Sequence, residues 1–360
     1  LGNSNKSIKV LIVDDSSFMR KIFSDMISTD SIFEVVGRAR NGKEAIEKAE
    51  QLRPDVITMD VEMPIMNGIE ALKIICQQEK IPVVMVSSLT KEGAYETLKA
   101  LEFGAVDFIQ KPSTSTMLNN ESFQKNLHNK LRIASKANVR PSLEINNKPL
   151  RATVEKYAET LTKKQNSIVA IAISTGGPKA LQYVIPQIPA TFPYPILIVQ
   201  HMPPGFTKSL AERLNTTSAV SVKEAENGEI VAPGNVYIAP GDYHMEVEVV
   251  NKTHQLRLHQ NTAVNGHRPS ADPMLRSLLN CNYQEVICVI MTGMGSDGTA
   301  GLKDLKKRMK TMAIAQDEKS CVVFGMPKSA IIEGLVDEVV TLEKIAEVIV
   351  NRIGGRRNGN

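Results

Sequence analysis

Residues 10–15 read VLIVDD, four apolar residues running straight into Asp14 and Asp15. The pattern recurs down the next hundred residues, with short apolar runs EVVGRA at 34–39, VITM at 56–59, VVMV at 83–86 and VDFI at 106–109. Each gap is long enough for a crossover helix, and in the first one Phe18, Met19, Ile22, Phe23, Met26 and Ile27 recur at helical spacing. The alternation predicts five strands of a parallel, doubly wound α/β sheet. Strand ends in such a sheet gather at one carboxyl edge, which is where ligands bind. Asp14 and Asp15 end the first strand, Asp60 the third, Ser87 the fourth and Lys111 the fifth. Three carboxylates so placed repel one another unless a hard cation sits among them, so the cluster predicts a divalent ion such as Mg²⁺. The hydroxyl and the ammonium suit phosphoryl oxygens. Singly, Asp15 or Ser16 reads as a helix cap and Lys111 as a solvent-facing lysine; the joint pattern carries the inference.

Over residues 8–112 the chain resembles a response-regulator receiver domain, through VLIVDDS, ITMDVEMP, VVMVSS and the Lys111-Pro112 pair. The resemblance implies a flavodoxin-like fold in which Asp60 accepts a phosphoryl group from a histidine kinase. It also implies that Asp14, Asp15 and Asp60 hold Mg²⁺, and that Ser87 and Lys111 report the phosphorylated state.

From 113 to 165 the alternation fails. The segment is rich in Asn, Ser, Thr and Lys, and it carries ten basic against four acidic residues, a net +6 that leaves the rest of the 360-residue chain at −2. It is expected to be a polar basic linker, since only Phe123 and Tyr157 are available to stack on bases and the charge is diffuse. No nucleic-acid partner is expected. Overall composition, 42% hydrophobic and 23% charged with 43 basic and 39 acidic residues, is that of an ordinary globular protein. The longest apolar runs are six residues, far below the ~20 that span a bilayer. Membrane insertion is therefore not expected, and a cytoplasmic location follows. The four cysteines form no CxxC pair and read as reduced, buried residues.

Strand and helix alternate again over 166–353, which predicts a second doubly wound, Rossmann-like domain, with antiparallel hairpins inserted over 219–260 where MEVEVV and LRLH alternate. Its first strand, IVAIAI, ends in Ser174-Thr175-Gly176-Gly177-Pro178, so a hydroxyl stands above a helix N-terminus whose N–H groups can stabilise an oxyanion. By itself that serine also reads as a cap or turn. The next strand, ILIVQ, ends at His201, a candidate base; His267, on a loop in NGHRPSADP, is its rival. A third strand end, in VICVIMTGMGSDG, supplies Asp297 to orient an imidazole. Gly293-Met294-Gly295-Ser296-Asp297-Gly298 also matches the GxGxxG of a dinucleotide site, with Asp317 near the ribose-binding spacing. Against that reading, the stretch is not the first strand–helix unit of its domain, and Asp297 would stand beside a pyrophosphate.

From about 167 to 353 the chain resembles the catalytic domain of the chemotaxis protein-glutamate methylesterases, through ISTGGP, VQHMPPGFTKSLAERLN, NVYIAPGDYH, GHRPSADPM and MTGMGSDGTAGL. The resemblance implies a serine hydrolase with Ser174, His201 and Asp297 as its triad and Thr175 and the Met294 main chain at the oxyanion site. No cofactor is implied for ester hydrolysis. The implied substrates are methylated glutamates of chemoreceptors, with deamidation of certain receptor glutamines, and activity is expected to rise on phosphorylation of the receiver. One departure is Ala172-Ile173 before the serine, where the family commonly has a Gly-Ala or Gly-Ser pair. The rival expectation is a receiver-controlled nucleotide- or DNA-binding regulator, which an α/β output domain disfavours.

Overall fold

The computed structural model describes residues 7–88, 90–112, 121–137 and 166–353, and the chain divides into two compact units, Leu1–Glu144 and Ile145–Asn360. Most of the segment expected to be a linker, 113–120 and 138–165, lies outside the described residues.

In the first unit, β1 (Ile8–Val13), β2 (Phe33–Ala39), β3 (Val56–Asp60), β4 (Val83–Ser87) and β5 (Asp107–Gln110) form one sheet in the order β2-β1-β3-β4-β5. All its pairings are parallel. Helices cover both faces, which is why β3 and β4 are buried at every position and read as unbroken apolar runs. The helices are α1 (Ser17–Ile27), α2 (Gly42–Leu52), α3 (Gly68–Gln78) and α4 (Lys91–Phe103). Polar side chains start them. Ser16 caps α1 by accepting from the Met19 N–H, and Asn67 and Glu70 make a reciprocal capping box on α3. Gly68 is required by close approach, because a Cβ there would stand 1.9 Å from the Asp60 carbonyl oxygen.

A fifth helix, α5 (Glu121–Ala134), lies inside the stretch that the sequence reading assigned to the linker. Leu127, Leu131 and Ala134 on it are fully buried, and Phe123 meets Phe23 of α1 edge-on with ring centroids 6.1 Å apart. His128 Nε2 lies 2.8 Å from the Met26 carbonyl, and Lys130 pairs with Asp107 at 2.7 Å. Composition hid this helix: Phe123, Leu127 and Leu131 fall one turn apart, but ten of its fourteen residues are polar or small enough to resemble a solvated tether.

The second unit is built on a seven-stranded sheet, β6 (Ser167–Ile173), β7 (Ile196–Gln200), β8 (Ser221–Glu224), β9 (Asn235–Ile238), β12 (Glu285–Ile290), β13 (Thr311–Gln316) and β14 (Glu338–Val340). The order is β14-β13-β12-β6-β7-β9-β8 and every pairing is parallel. Its helices are α6 (Gly177–Val184), α7 (Phe206–Thr217), α8 (Ala271–Ser277), α9 (Thr299–Arg308), α10 (Met326–Ile332) and α11 (Leu342–Ile353). β6 is central and buried along its whole length. Within 219–260 the structure holds one antiparallel hairpin, β10 (His244–Val250) with β11 (Thr253–His259), while β8 and β9 join the parallel sheet instead. Asn251 and Lys252, both at positive φ, make the two-residue turn whose twist matches the paired strands. Met245, Val247 and Leu256 of the hairpin join one core with Ile168, Ala170 and Ala172 of β6. The chain leaves β6 toward β7 on one side and finds β12 on the other, so the carboxyl end of β6 is a topological switch point.

No helix among the described residues is long and apolar enough to cross a membrane. Because α5 contributes fully buried leucines, Leu131→Ala is expected to cost the first unit about 2–5 kcal/mol. Hydrogen exchange should show β1 and β3 amides losing protection together while β6 and β12 amides keep theirs.

Candidate functional site

Two sites stand at carboxyl edges, one in each unit. In the first, Asp14 and Asp60 are buried and Asp15 is exposed, and one oxygen from each lies within 4.8 Å of the others. Lys111 Nζ lies 2.6 Å from Asp60 Oδ2 and 3.3 Å from Asp14 Oδ2. Burial pushes Asp60 up to about 6; Lys111 opposes that shift by hydrogen bond and charge, and the neighbouring Asp14 and Asp15 add to it. Burial likewise holds Asp14 above the ordinary carboxylate value against Lys111. Asp14 Oδ2 is buried without an aligned donor. A cavity of about 440 Å³ opens over the cluster, lined by Asp15, Asp60, Glu62, Met63, Ser87 and Lys111 among others.

Ser87 reaches this edge, as its place at the end of β4 implies, but its hydroxyl is engaged within α4: Oγ lies 2.6 Å from Thr97 Oγ1 and 3.1 Å from the Gly93 carbonyl. Sequence reading missed Arg20, which ties down the Asp14–Asp15 corner by donating to both carbonyls, at 2.7 and 2.9 Å. Its position one turn into α1 was the available signal.

In the second unit, Ser174, His201 and Asp297 follow β6, β7 and β12, three adjacent strands. Ser174 N–H donates to the Thr292 carbonyl at 2.9 Å, and Gln200 Nε2 donates to the Ser174 carbonyl at 3.1 Å, so the turn is fixed from both neighbouring strands. His201 Nδ1 lies 3.1 Å from Ser174 Oγ, and its Nε2 lies 2.7 Å from Asp297 Oδ2. Asp297 accepts only, so the proton belongs on Nε2 and leaves Nδ1 free to accept from the serine hydroxyl. These nitrogen roles are the reverse of those in the familiar serine-protease arrangement, where Nε2 faces the serine.

Asp297 is 2% exposed. Besides His201, it accepts from Ser270 Oγ at 2.6 Å, Ala271 N at 2.7 Å, Asn265 Nδ2 at 3.2 Å and Asp272 N at 3.3 Å. Burial alone would raise its pKa; the bond and charge of His201, with Ser270 and Ala271, outweigh burial and hold it well below the usual carboxylate range. None of these partners but His201 was singled out from sequence as touching Asp297. Ser270, Ala271 and Asp272 lie in the RPSADP stretch, whose Ser-x-Asp before a helix was the available signal.

Glycines clear the space around the serine. Gly176 sits at φ +78°, a Cβ on Gly177 would fall 1.9 Å from Gln200 Oε1, and one on Gly293 would fall 2.7 Å from Ser174 Cβ. Thr175 follows the serine and is buried, whereas Met294 beside Gly293 is 45% exposed. Ala172 and Ile173 are both fully buried, with Gly298 against Ala172 and Gly177 against Ile173 leaving them room. His267, the rival base, lies parallel to His201, ring centroids 4.0 Å apart and planes 10° apart. The GxGxxG stretch is taken up by this site: the Gly298 and Gly301 N–H groups at the α9 N-terminus, which a pyrophosphate would need, donate instead to Asp272 Oδ1 at 3.1 and 2.7 Å, and Asp317 accepts from Ser320 N at 3.1 Å in its own turn.

Comparison with known proteins finds one matched domain around each site. The CheB methylesterase family profile matches residues 169–349, and that of the response regulator receiver domain matches residues 10–121. A protein-glutamate methylesterase/protein-glutamine glutaminase of Pyrococcus abyssi is 46% identical over 99% of this chain and 96% of its own. One from Thermotoga maritima is 47% identical over 97% of this chain and all of its own. The crystal structure of the Thermotoga maritima CheB methylesterase catalytic domain superposes with a TM-score of 0.50 at 49% identity, covering 51% of this chain and 97% of that one. The chain thus belongs to the protein-glutamate methylesterase/protein-glutamine glutaminase family, carrying a response regulator receiver domain ahead of a CheB methylesterase domain.

Proposed function

We propose that this protein is a phosphorylation-activated serine hydrolase that removes methyl esters from chemoreceptor glutamates and deamidates receptor glutamines. The observation that carries this reading is the hydrogen-bonded chain from Ser174 through His201 to Asp297 at the switch point of the sheet. His201 Nδ1 takes the Ser174 proton as Oγ attacks the ester carbonyl, and Asp297 stabilises the imidazolium that results. The oxyanion forms beside the turn that carries Thr175 and the main chain of Met294. His201 then returns the proton to methoxide, methanol leaves, and water hydrolyses the acyl-enzyme by the same route. With a glutamine substrate the leaving group is ammonia, and the product is again a glutamate.

In the receiver, Asp60 is the phosphoacceptor, and the phosphoryl donor is a histidine kinase. Asp14, Asp15 and Asp60 form an all-oxygen donor set that fits Mg²⁺, and the buried, undirected Asp14 Oδ2 supports that fit. When bound, the ion offsets charge on the carboxylates and the transferring phosphoryl group. Lys111, already on Asp60 Oδ2, is placed to turn toward the new phosphoryl oxygens, and Ser87 would have to leave Thr97 to do the same. The phosphoacceptor domain is taken to run through α5 to about residue 134, since α5 supplies part of its core.

Ser174→Ala is expected to lower methanol release from methylated receptor membranes by at least about 10³-fold. Asp297→Asn keeps the shape but removes the acceptor that holds the Nε2 proton, and should lower kcat by about 10³–10⁴-fold. Asp60→Asn should abolish acid-labile phosphate from acetyl phosphate and Mg²⁺, and with it the rise in esterase activity that acetyl phosphate produces. Full labelling of that variant would remove Asp60 as the acceptor.

A further inference from the structure

Val264-Asn265-Gly266-His267 forms a tight turn beside the second site. Val264 and His267 exchange backbone hydrogen bonds of 3.1 and 2.9 Å, and Asn265 and Gly266 between them both have positive φ, +55° and +77°. A two-residue turn of this kind has little freedom, so the side chains at its corners are held in fixed directions. The Asn265 amide bridges two carboxylates, donating to Asp272 Oδ2 at 2.8 Å and to Asp297 Oδ1 at 3.2 Å. Asp272, also 2% exposed, is itself anchored by the Gly298 and Gly301 N–H groups at 3.1 and 2.7 Å, at the start of α9. The fourth residue of the turn, His267, lies flat on the ring of His201.

The geometry of His201 shows what that stack supplies. Its two hydrogen bonds, to Ser174 and Asp297, are made by ring nitrogens, whose N–H and lone pair point outward in the plane of an imidazole. In-plane bonds fix where the nitrogens point but resist tilt and displacement out of the plane only weakly. A second ring 4.0 Å away and parallel blocks that motion on one face and keeps water off it. It also offers a π face to the imidazolium that forms when the serine proton is taken.

We propose that His267 is a positioning residue for hydrolysis: it is the wall against which the His201 ring is set, and it is held there by a turn that also grips Asp297. This inference rests on the reading of Ser174, His201 and Asp297 as the hydrolytic group. What is needed from His267 is its flat aromatic face, not its proton. Because the stack acts on the base and not on the bound ester, its loss should appear in kcat and leave KM nearly unchanged.

The test is steady-state methanol release from methylated receptor membranes by the full-length protein and its His267→Ala, His267→Gln and His267→Phe variants, with Ser174→Ala assayed alongside. His267→Ala and His267→Gln are expected to lose about tenfold in kcat, equivalent to ~1.4 kcal/mol, with KM within about twofold. His267→Phe, which keeps a ring but no nitrogen, is expected to recover kcat to within about threefold of the parent. Thermal melts establish that each variant is folded, and if His267→Ala is not, the contrast between Phe and Gln decides alone. Parental kcat in His267→Ala or His267→Gln overturns the proposal, and so does a Phe variant as slow as Ala. Either result leaves the hydrolase reading intact as long as the parent's activity depends on Ser174. A parent with no Ser174-dependent release would instead overturn the hydrolase reading itself.

Discussion

The second domain is organised around one buried anion. A carboxylate as enclosed as Asp297 is costly unless donors surround it, and the chain supplies them from three places: His201 after β7, Asn265 in its turn, and Ser270 with the Ala271 and Asp272 N–H groups at the start of α8. Each of those bonds is also a constraint on a segment with no regular structure of its own. Loop 260–270, the entry to α8 and the turn between β12 and α9 are drawn to one point because Asp297 is there. Asp272 repeats the device a step further out, accepting from Asn265, Gly298 and Gly301. The site's rigidity therefore comes from charge satisfaction, laid over a sheet whose apolar strands fix only where the loops begin.

Both domains use the same architectural fact, that strand ends of a parallel sheet converge, and reach opposite electrostatic results. In the receiver the converging groups are carboxylates, with Lys111 the cation that touches Asp60. Burial therefore prevails at Asp60, whose pKa rises to about 6 despite a lysine at 2.6 Å. In the esterase domain a carboxylate of similar exposure is surrounded by N–H and O–H donors and a histidine, and its pKa falls. The number and kind of donors decide the direction, since burial pushes both groups the same way.

How far these features could be read from sequence follows from whether they are periodic. The strands were legible because parallel strands buried on both faces must be continuous apolar runs, and the residues at their ends inherited their position from them: Asp14, Asp60, Lys111, Ser174 and His201 come where the runs stop, and Asp297 comes a short turn beyond one. Helix α5 was obscured because its apolar residues are sparse, although Phe123, Leu127 and Leu131 keep the spacing. The hairpin of β10 and β11 was legible in the alternation of MEVEVV and LRLH, but the short β8 and β9, SVKE and NVYI, lie in the same 219–260 stretch with no pattern that sets them apart as members of the parallel sheet. The donors to Asp297 were not legible at all. Asn265, Ser270 and Ala271 are 26–32 residues away from it in the chain, and no local pattern announces a hydrogen bond across that distance.

The reversed use of the imidazole nitrogens follows from this same clustering. Nδ1 is the nitrogen nearer the backbone, and in His201 it serves the serine on the adjacent strand, whose Ile173 carbonyl accepts from the His201 N–H at 3.3 Å. The ring then points its far nitrogen, Nε2, out past the strand ends toward Asp297 and the N-terminus of α8. Had the aspartate ended its strand, as Asp60 ends β3, it would lie at the sheet edge and not beyond it. Asp297 instead comes seven residues after the end of β12, at the end of a glycine-rich turn long enough to carry the carboxylate outward. The spacing that makes Gly293–Gly298 resemble a nucleotide-binding loop is thus the spacing that delivers Asp297 to the far side of His201. The same glycines that would admit a pyrophosphate in another fold admit, in this one, Ser174 against Gly293 and Ala172 against Gly298.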